Sequence, residues 1–285
     1  MVAILGGLGA AVAFAVTTLT ASRATRMIGA PSVLAWVLFT GFCIVVPWAA
    51  LEGRPEGLDE DSVAFLVLSG AGNVVGLLLA YSALRVGKVG IVAPIVSTEG
   101  AIAAVIAVLA GEHIAEGSGV VLAVIAVGIV LAAVAGNSED DVVHRWTTWR
   151  VPVYAFAAAC AFAVSIYSTG RASEELPIAW AVSPPRLLGV LVVALPLALS
   201  SRLSLTRAAL PLVVASGIAE VVGFASFAVW ARHGVAVAAV LASQFAAIAA
   251  VAAYVLFQER LGRIQIAGVT TIVVGVAVLT SLQAA

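Results

Sequence analysis

Two glutamates stand where an aliphatic sequence has no ordinary use for them. Glu99 lies at the centre of the apolar stretch 89–110 and Glu220 at the centre of 208–231. A charged side chain at mid-bilayer costs about 2.5–3.5 kcal/mol on insertion scales, so each one calls for a reason. A buried carboxylate carries a proton or faces a cation, and one that trades the first for the second is suited to coupled movement of protons and substrate. Asn73, Ser97 and Gln244 fall at a similar depth, within about one turn of their segment midpoints at ~1.5 Å per residue. They would hydrogen-bond whatever the glutamates hold. The structural alternative is that each polar group ties its helix to a neighbour.

Other polar residues could line the same cavity: Thr17 and Thr18 in the first apolar segment, and Ser165, Tyr167 and Ser168 in the sixth. Tyr81 and Trp230 have aromatic faces able to hold an organic cation, but at helix ends such residues are first read as interfacial anchors. Arg186 follows Ser183-Pro184-Pro185. It lies halfway across the membrane if its helix starts near Pro177, and nearer the interface if the prolines mark the start.

Glu112, His113 and Glu116 are spaced like metal ligands, yet they sit in a short surface loop and only Glu112 has a counterpart elsewhere in the chain. No metal is expected there. Cys43 and Cys160 lie far apart in apolar segments and read as small fillers. No GxSxG, HExxH or phosphate-loop motif is present, so neither an enzyme nor a cofactor is expected.

These residues need elements to position them. Hydrophobic residues make up 63% of the 285 and charged ones only 10%, against about 25% in a soluble domain, so lipid is the expected solvent. The net charge of −1 comes with no basic patch, which excludes nucleic acid as a partner. A bilayer core needs ~20 apolar residues in a helix. Ten segments qualify: 2–21, 31–51, 62–84, 89–110, 117–136, 151–170, 178–200, 208–231, 235–257 and 263–282. Period-two alternation is missing, so the fold class is an all-α polytopic membrane bundle. The first segment could pass for a signal peptide, but no Lys or Arg precedes it and similar segments follow. The cytoplasmic (inner or plasma) membrane is the expected location.

The polar stretch Asn137 to Arg150 divides the chain near its middle, and the two sides match at an offset of 147–148 residues. Ala13-Phe14-Ala15-Val16 recurs as Ala161-Phe162-Ala163-Val164, Ser69-Gly70 as Ser216-Gly217, and Val74-Val75-Gly76 as Val221-Val222-Gly223. Arg85 pairs with Arg232, Glu112 with Glu259 and Gly128 with Gly275. Residues 1–137 and 151–285 are therefore expected to be two five-helix repeats joined by a loop at 138–150. An odd helix number inverts the second copy in the membrane, an arrangement used for alternating access. Asn73 and Glu220 occupy equivalent positions, as do Ser97 and Gln244.

Basic residues concentrate in the odd-numbered loops, among them Arg23, Arg26, Arg85, Lys88, Arg145 and Arg150, which by the positive-inside rule puts both termini outside.

The chain resembles the EamA-type proteins of the drug/metabolite transporter superfamily. The likeness lies in Ala80-Tyr81-Ser82-Ala83-Leu84 through Val92-Ala93-Pro94, in Leu109-Ala110-Gly111-Glu112 with Gly128, and in the second-half stretch Leu256-Phe257-Gln258-Glu259-Arg260-Leu261 with Gln265, Gly268 and Gly275. Arg186 falls where that family often carries an arginine. The resemblance implies ten helices in two inverted repeats, a central cavity, and transport of small metabolites or drugs with both termini in the cytoplasm. This chain departs from the pattern at Trp36, where the first repeat often has arginine, and at Leu241, where the second often has proline.

The expected function is secondary active transport of a small molecule, a metabolite or drug such as a cationic or zwitterionic amine, with protons as the coupling ion. The expected site is Glu99, Glu220, Asn73, Gln244, Ser97, Thr17, Ser165 and Tyr167. An uncoupled facilitator or exchanger, and a membrane scaffold or sensor without transport, are the alternatives.

Overall fold

A computed structural model describes residues 2–55, 58–112, 117, 119–121, 123–124, 127–128, 131, 149–257 and 262–284. Helix is the only regular element among them. The first half holds α1 (Val2–Ile28), α2 (Ala30–Glu52), α3 (Glu60–Val86), α4 (Val89–Val96) and α5 (Thr98–Leu109). The second holds α6 (Arg150–Glu175), α7 (Ile178–Val182), α8 (Pro184–Gly189), a π-turn at Val190–Ala194, α9 (Leu195–Leu199), α10 (Leu210–Ala231), α11 (Val235–Ala242), α12 (Phe245–Phe257) and α13 (Arg263–Ala284).

Six spans among the described residues are long and apolar enough to cross a membrane: Ala30–Glu52, Glu60–Val86, Val89–Leu109, Arg150–Glu175, Ile178–Leu199 and Leu210–Ala231. Their outer faces carry exposed Val67, Val75, Phe156, Val192 and Val222. Cys43 and Cys160 are exposed too, on the outside of the bundle instead of filling its core. Most of the segment expected at 117–136, the loop at 138–148, His113, Glu116 and Glu259 lie outside the described residues.

Three spans expected to be continuous are interrupted. The span 89–110 breaks at Ser97, between α4 and α5, and 235–257 breaks at Ser243 and Gln244, between α11 and α12. Both serines have nearly the same backbone, φ −62° and ψ −10° at Ser97 and φ −68° and ψ −6° at Ser243. Each hydroxyl donates to the carbonyl three residues back, Ser97 to Pro94 (2.8 Å) and Ser243 to Val240 (2.7 Å). This local bonding competes with the helical ladder and tightens the turn. The third span, 178–200, changes geometry repeatedly, because Pro184, Pro185 and Pro196 each lack a backbone donor.

Between the halves, helices interlock in reciprocal pairs. On α10, Gly223 faces Phe14 of α1, and a Cβ added there would lie 2.5 Å from that ring. On α3, Gly76 faces Phe162 of α6, and its added Cβ would lie 2.6 Å from that ring. Thr17 donates to the Ser216 carbonyl at 3.3 Å, and Ser165 to the Ser69 carbonyl at 2.8 Å. In lipid, helices associate through such close packing and interhelical hydrogen bonds, since apolar surface alone gives no preference for protein over lipid.

Glu112 also joins the halves, its carboxylate accepting from the backbone N–H of Ala236 (3.2 Å) in the first turn of α11. A negative group at a helix N-terminus is favoured by the helix dipole, which gives this residue a structural use unrelated to metal.

Replacing Gly76 or Gly223 with Val should overpack a phenylalanine seat and cost about 1–3 kcal/mol or more. Thermal unfolding in detergent should show a lowered midpoint for both variants. The lipid-facing Val67→Leu control should stay at the wild-type value.

Candidate functional site

At the centre of the bundle is a pocket with a cavity volume of ≈60 Å³. From the first half, α1 contributes Phe14, Thr17 and Thr18, α3 contributes Leu77, Ala80, Tyr81 and Leu84, and the broken span contributes Val92, Ala93, Val96 and Glu99. From the second, α6 contributes Phe162 and Ile166, α10 contributes Glu220 and Phe224, and α12 contributes Phe245. The wall is largely apolar, with two carboxylates set into it.

Glu220 is 1% exposed. Arg186, fully buried, places its Nη2 at 3.4 Å from Glu220 Oε2. Asn73 donates from Nδ2 to Glu220 Oε1 at 3.2 Å, so two equivalent positions of the halves meet side chain to side chain. Arg186 donates from Nη1 to the Val182 carbonyl at 3.1 Å, and its guanidinium carbon lies 5.0 Å from the Phe224 ring centre. A cation over an aromatic face gains most when water is excluded. Gly41 makes room for it, as a Cβ there would stand 3.0 Å from Arg186 Cγ. Because α7 begins at Ile178, ahead of the prolines, Arg186 lies inside the span and away from its end. Of the two sequence-level placements, the deep one is observed.

Glu99 differs. It is 5% exposed, faces the pocket, and makes no hydrogen bond or ion pair with a described residue. The break at Ser97 places it in the first turn of α5, where the helix dipole favours an anion. Thr18 donates to the Phe14 carbonyl at 2.8 Å. Tyr81 is 2% exposed and its hydroxyl has no hydrogen-bond partner among the described residues. That burial replaces the interfacial-anchor reading of Tyr81.

Of the residues expected at the site, the structure brings Glu99, Glu220 and Thr17 to the pocket wall. Asn73 stands one layer behind Glu220. Ser97, Ser165, Gln244 and Tyr167 are not on the wall: Ser97 shapes the helix break, Ser165 ties α6 to α3, and Gln244 is half-buried at the second break. Tyr167 packs edge-on to Phe65, ring centres 6.2 Å apart. Ser168 is buried but not on the wall, and Trp230 lies beside His233 with ring centres 5.5 Å apart. The pairing of Arg186 with Glu220 was not anticipated. The signal available was one deep arginine in a chain with two deep acids.

Residues 1–134 match the family model described as EamA-like transporter family. No curated protein matches the chain by sequence. A solved structure titled only as the crystal structure of a protein aligns at a TM-score of 0.69 and 18% identity, covering 99% of this chain and 97% of that one. At that identity the likeness concerns the fold, and it extends over both halves. Together with the six apolar spans, the family match makes the chain an integral membrane protein.

Removing one partner of a buried ion pair strands the other and costs about 3–5 kcal/mol, whereas replacing both with apolar groups is often neutral. Arg186→Met and Glu220→Met should each lower the unfolding midpoint in detergent. The double variant should recover much of the loss, and a double-mutant cycle on thermal unfolding checks it.

Proposed function

We infer, from the membership of residues 1–134 in the EamA-like transporter family, that the whole chain is a proton-coupled secondary active transporter of small molecules. It works by alternating access, with ten helices in two inverted repeats that rock about the central pocket. The observation that carries this reading is the pocket itself, a chamber between the halves whose wall holds a buried carboxylate with no partner of its own among the described residues. The reciprocal seats, Phe14 on Gly223 and Phe162 on Gly76, support the inverted pairing, since each half grips the other through the same residues.

In the proposed cycle Glu99 does the exchange. With the pocket empty it holds a proton. A cationic substrate takes that place, and the proton leaves toward the side to which the pocket is open. Reprotonation from the opposite side releases the substrate. Glu220, engaged by Arg186 and Asn73, takes no part in the exchange and holds α10 to α8 and α3. Lipid-excluded surroundings strengthen each of these interactions relative to water.

Proteoliposomes loaded with a pH-sensitive dye and offered one metabolite or drug at a time should show proton movement with at least one compound. Glu99→Gln should reduce that signal to the level of empty liposomes while the protein remains monodisperse. Substrate flux without proton movement would instead identify a facilitator. Proton-coupled flux persisting in Glu99→Gln would remove Glu99 from the mechanism.

A further inference from the structure

Taking the pocket as the transport site, its charges also limit what it accepts. Among the described residues the wall has two carboxylates and no Lys, Arg or His side chain. One carboxylate is already balanced, because Glu220 has the Arg186 guanidinium at 3.4 Å and the Asn73 amide at 3.2 Å. That guanidinium is fully buried behind Phe224 and donates to the Val182 carbonyl, so it is not offered to a ligand. Glu99 therefore remains as the single unbalanced charge. Around it the surface is apolar and aromatic, with Phe14, Phe162 and Phe245 on the wall.

We propose that the pocket selects small hydrophobic monocations, seating one ammonium group on Glu99 and an apolar body of about one ring against Phe14, Phe162 and Phe245. The three rings suit an ammonium-bearing molecule twice over, since they accept apolar surface and their faces attract positive charge. Each other charge type meets an unsatisfied group. An anion would face two carboxylates. A dication would bring a second ammonium with no carboxylate free to receive it. A zwitterion would seat its amine on Glu99 but leave its own carboxylate in an apolar chamber, where an unpaired charge is strongly disfavoured. The donor on the wall without a partner among the described residues is the Tyr81 hydroxyl, which is neutral and cannot balance that carboxylate, and this makes an amino acid the decisive comparison.

The test is isothermal titration calorimetry on the full-length protein in detergent with four probes: phenethylamine, phenylalanine, phenylacetate and 1,4-diaminobutane. Phenethylamine should bind at least about tenfold more tightly than any other. Glu99→Gln should weaken it by about tenfold or more, and Glu99→Asp should retain it with a smaller loss. Unchanged elution and melting of the ligand-free variants separate loss of binding from loss of fold, and the four-probe ranking on wild type needs no variant at all. Phenylalanine or phenylacetate binding as tightly as phenethylamine would overturn the proposal. So would absence of phenethylamine binding, or binding indifferent to Glu99→Gln in a folded protein. Selective binding without flux in liposomes would sink the transporter reading and leave the selectivity standing. Coupled flux of a zwitterion or anion would do the reverse.

Discussion

A guanidinium with no exposure at all, in a chain whose surroundings are lipid, sets the terms for the rest of the structure. Arg186 cannot stay in such a place without a counter-ion and further polar or aromatic contacts. Glu220 is the counter-ion, Asn73 holds the carboxylate from the other half, Phe224 covers the cation, and Gly41 of α2 leaves the space its stem occupies. Five positions on four spans are thereby committed to one charge. The irregular course of α7, α8 and the π-turn belongs to the same arrangement, because Arg186 sits within it, on a span whose prolines prevent an uninterrupted ladder.

That commitment is what gives Glu99 its distinct chemistry. Two buried carboxylates in one pocket would ordinarily compete for the same proton or cation. With Glu220 balanced internally, the second acid is left to answer to whatever enters. A further contribution comes from the backbone: the Ser97 turn starts a new helix just ahead of Glu99 and directs its amide end at the carboxylate. The pocket thus holds one acid engaged by Arg186 and Asn73 and one with no partner among the described residues.

The deep acids were legible from sequence because nothing in an aliphatic helix explains a glutamate, and the position of Arg186 was legible up to a choice set by where α7 begins. The family likeness was also readable, from Ala80 through Pro94 and from Leu109 through Glu112. The serines misled. Ser97 and Ser165 have the polarity of site residues, but in the structure their hydroxyls serve neighbouring carbonyls, one inside a helix break and one across α3 and α6. A hydroxyl has a local use that costs little and leaves no trace in composition. Tyr81 failed for the opposite reason: near the end of its segment it looks like an anchor, and only the approach of the other half buries it.

Aligned at the offset of 147 residues, the two halves agree in their helix breaks but not in their charges, and the difference lies in three pairs of positions. Where the second half has Glu220, the first has Asn73; opposite Ser97 stands Gln244; and at the offset that carries Asn73 to Glu220, Glu99 meets Ala246. With a carboxylate at position 73, two acids would face each other across the 3.2 Å now spanned by an amide donor, and one of them would need a proton to be there at all. An amide of similar length keeps the contact and turns repulsion into a hydrogen bond. Ala246 in turn leaves the amide end of α12 without an acid of its own. Each half therefore supplies a broken span and a phenylalanine seat, whereas among the described residues only the break at Ser97 is followed by an acid, Glu99, in the first turn of the new helix.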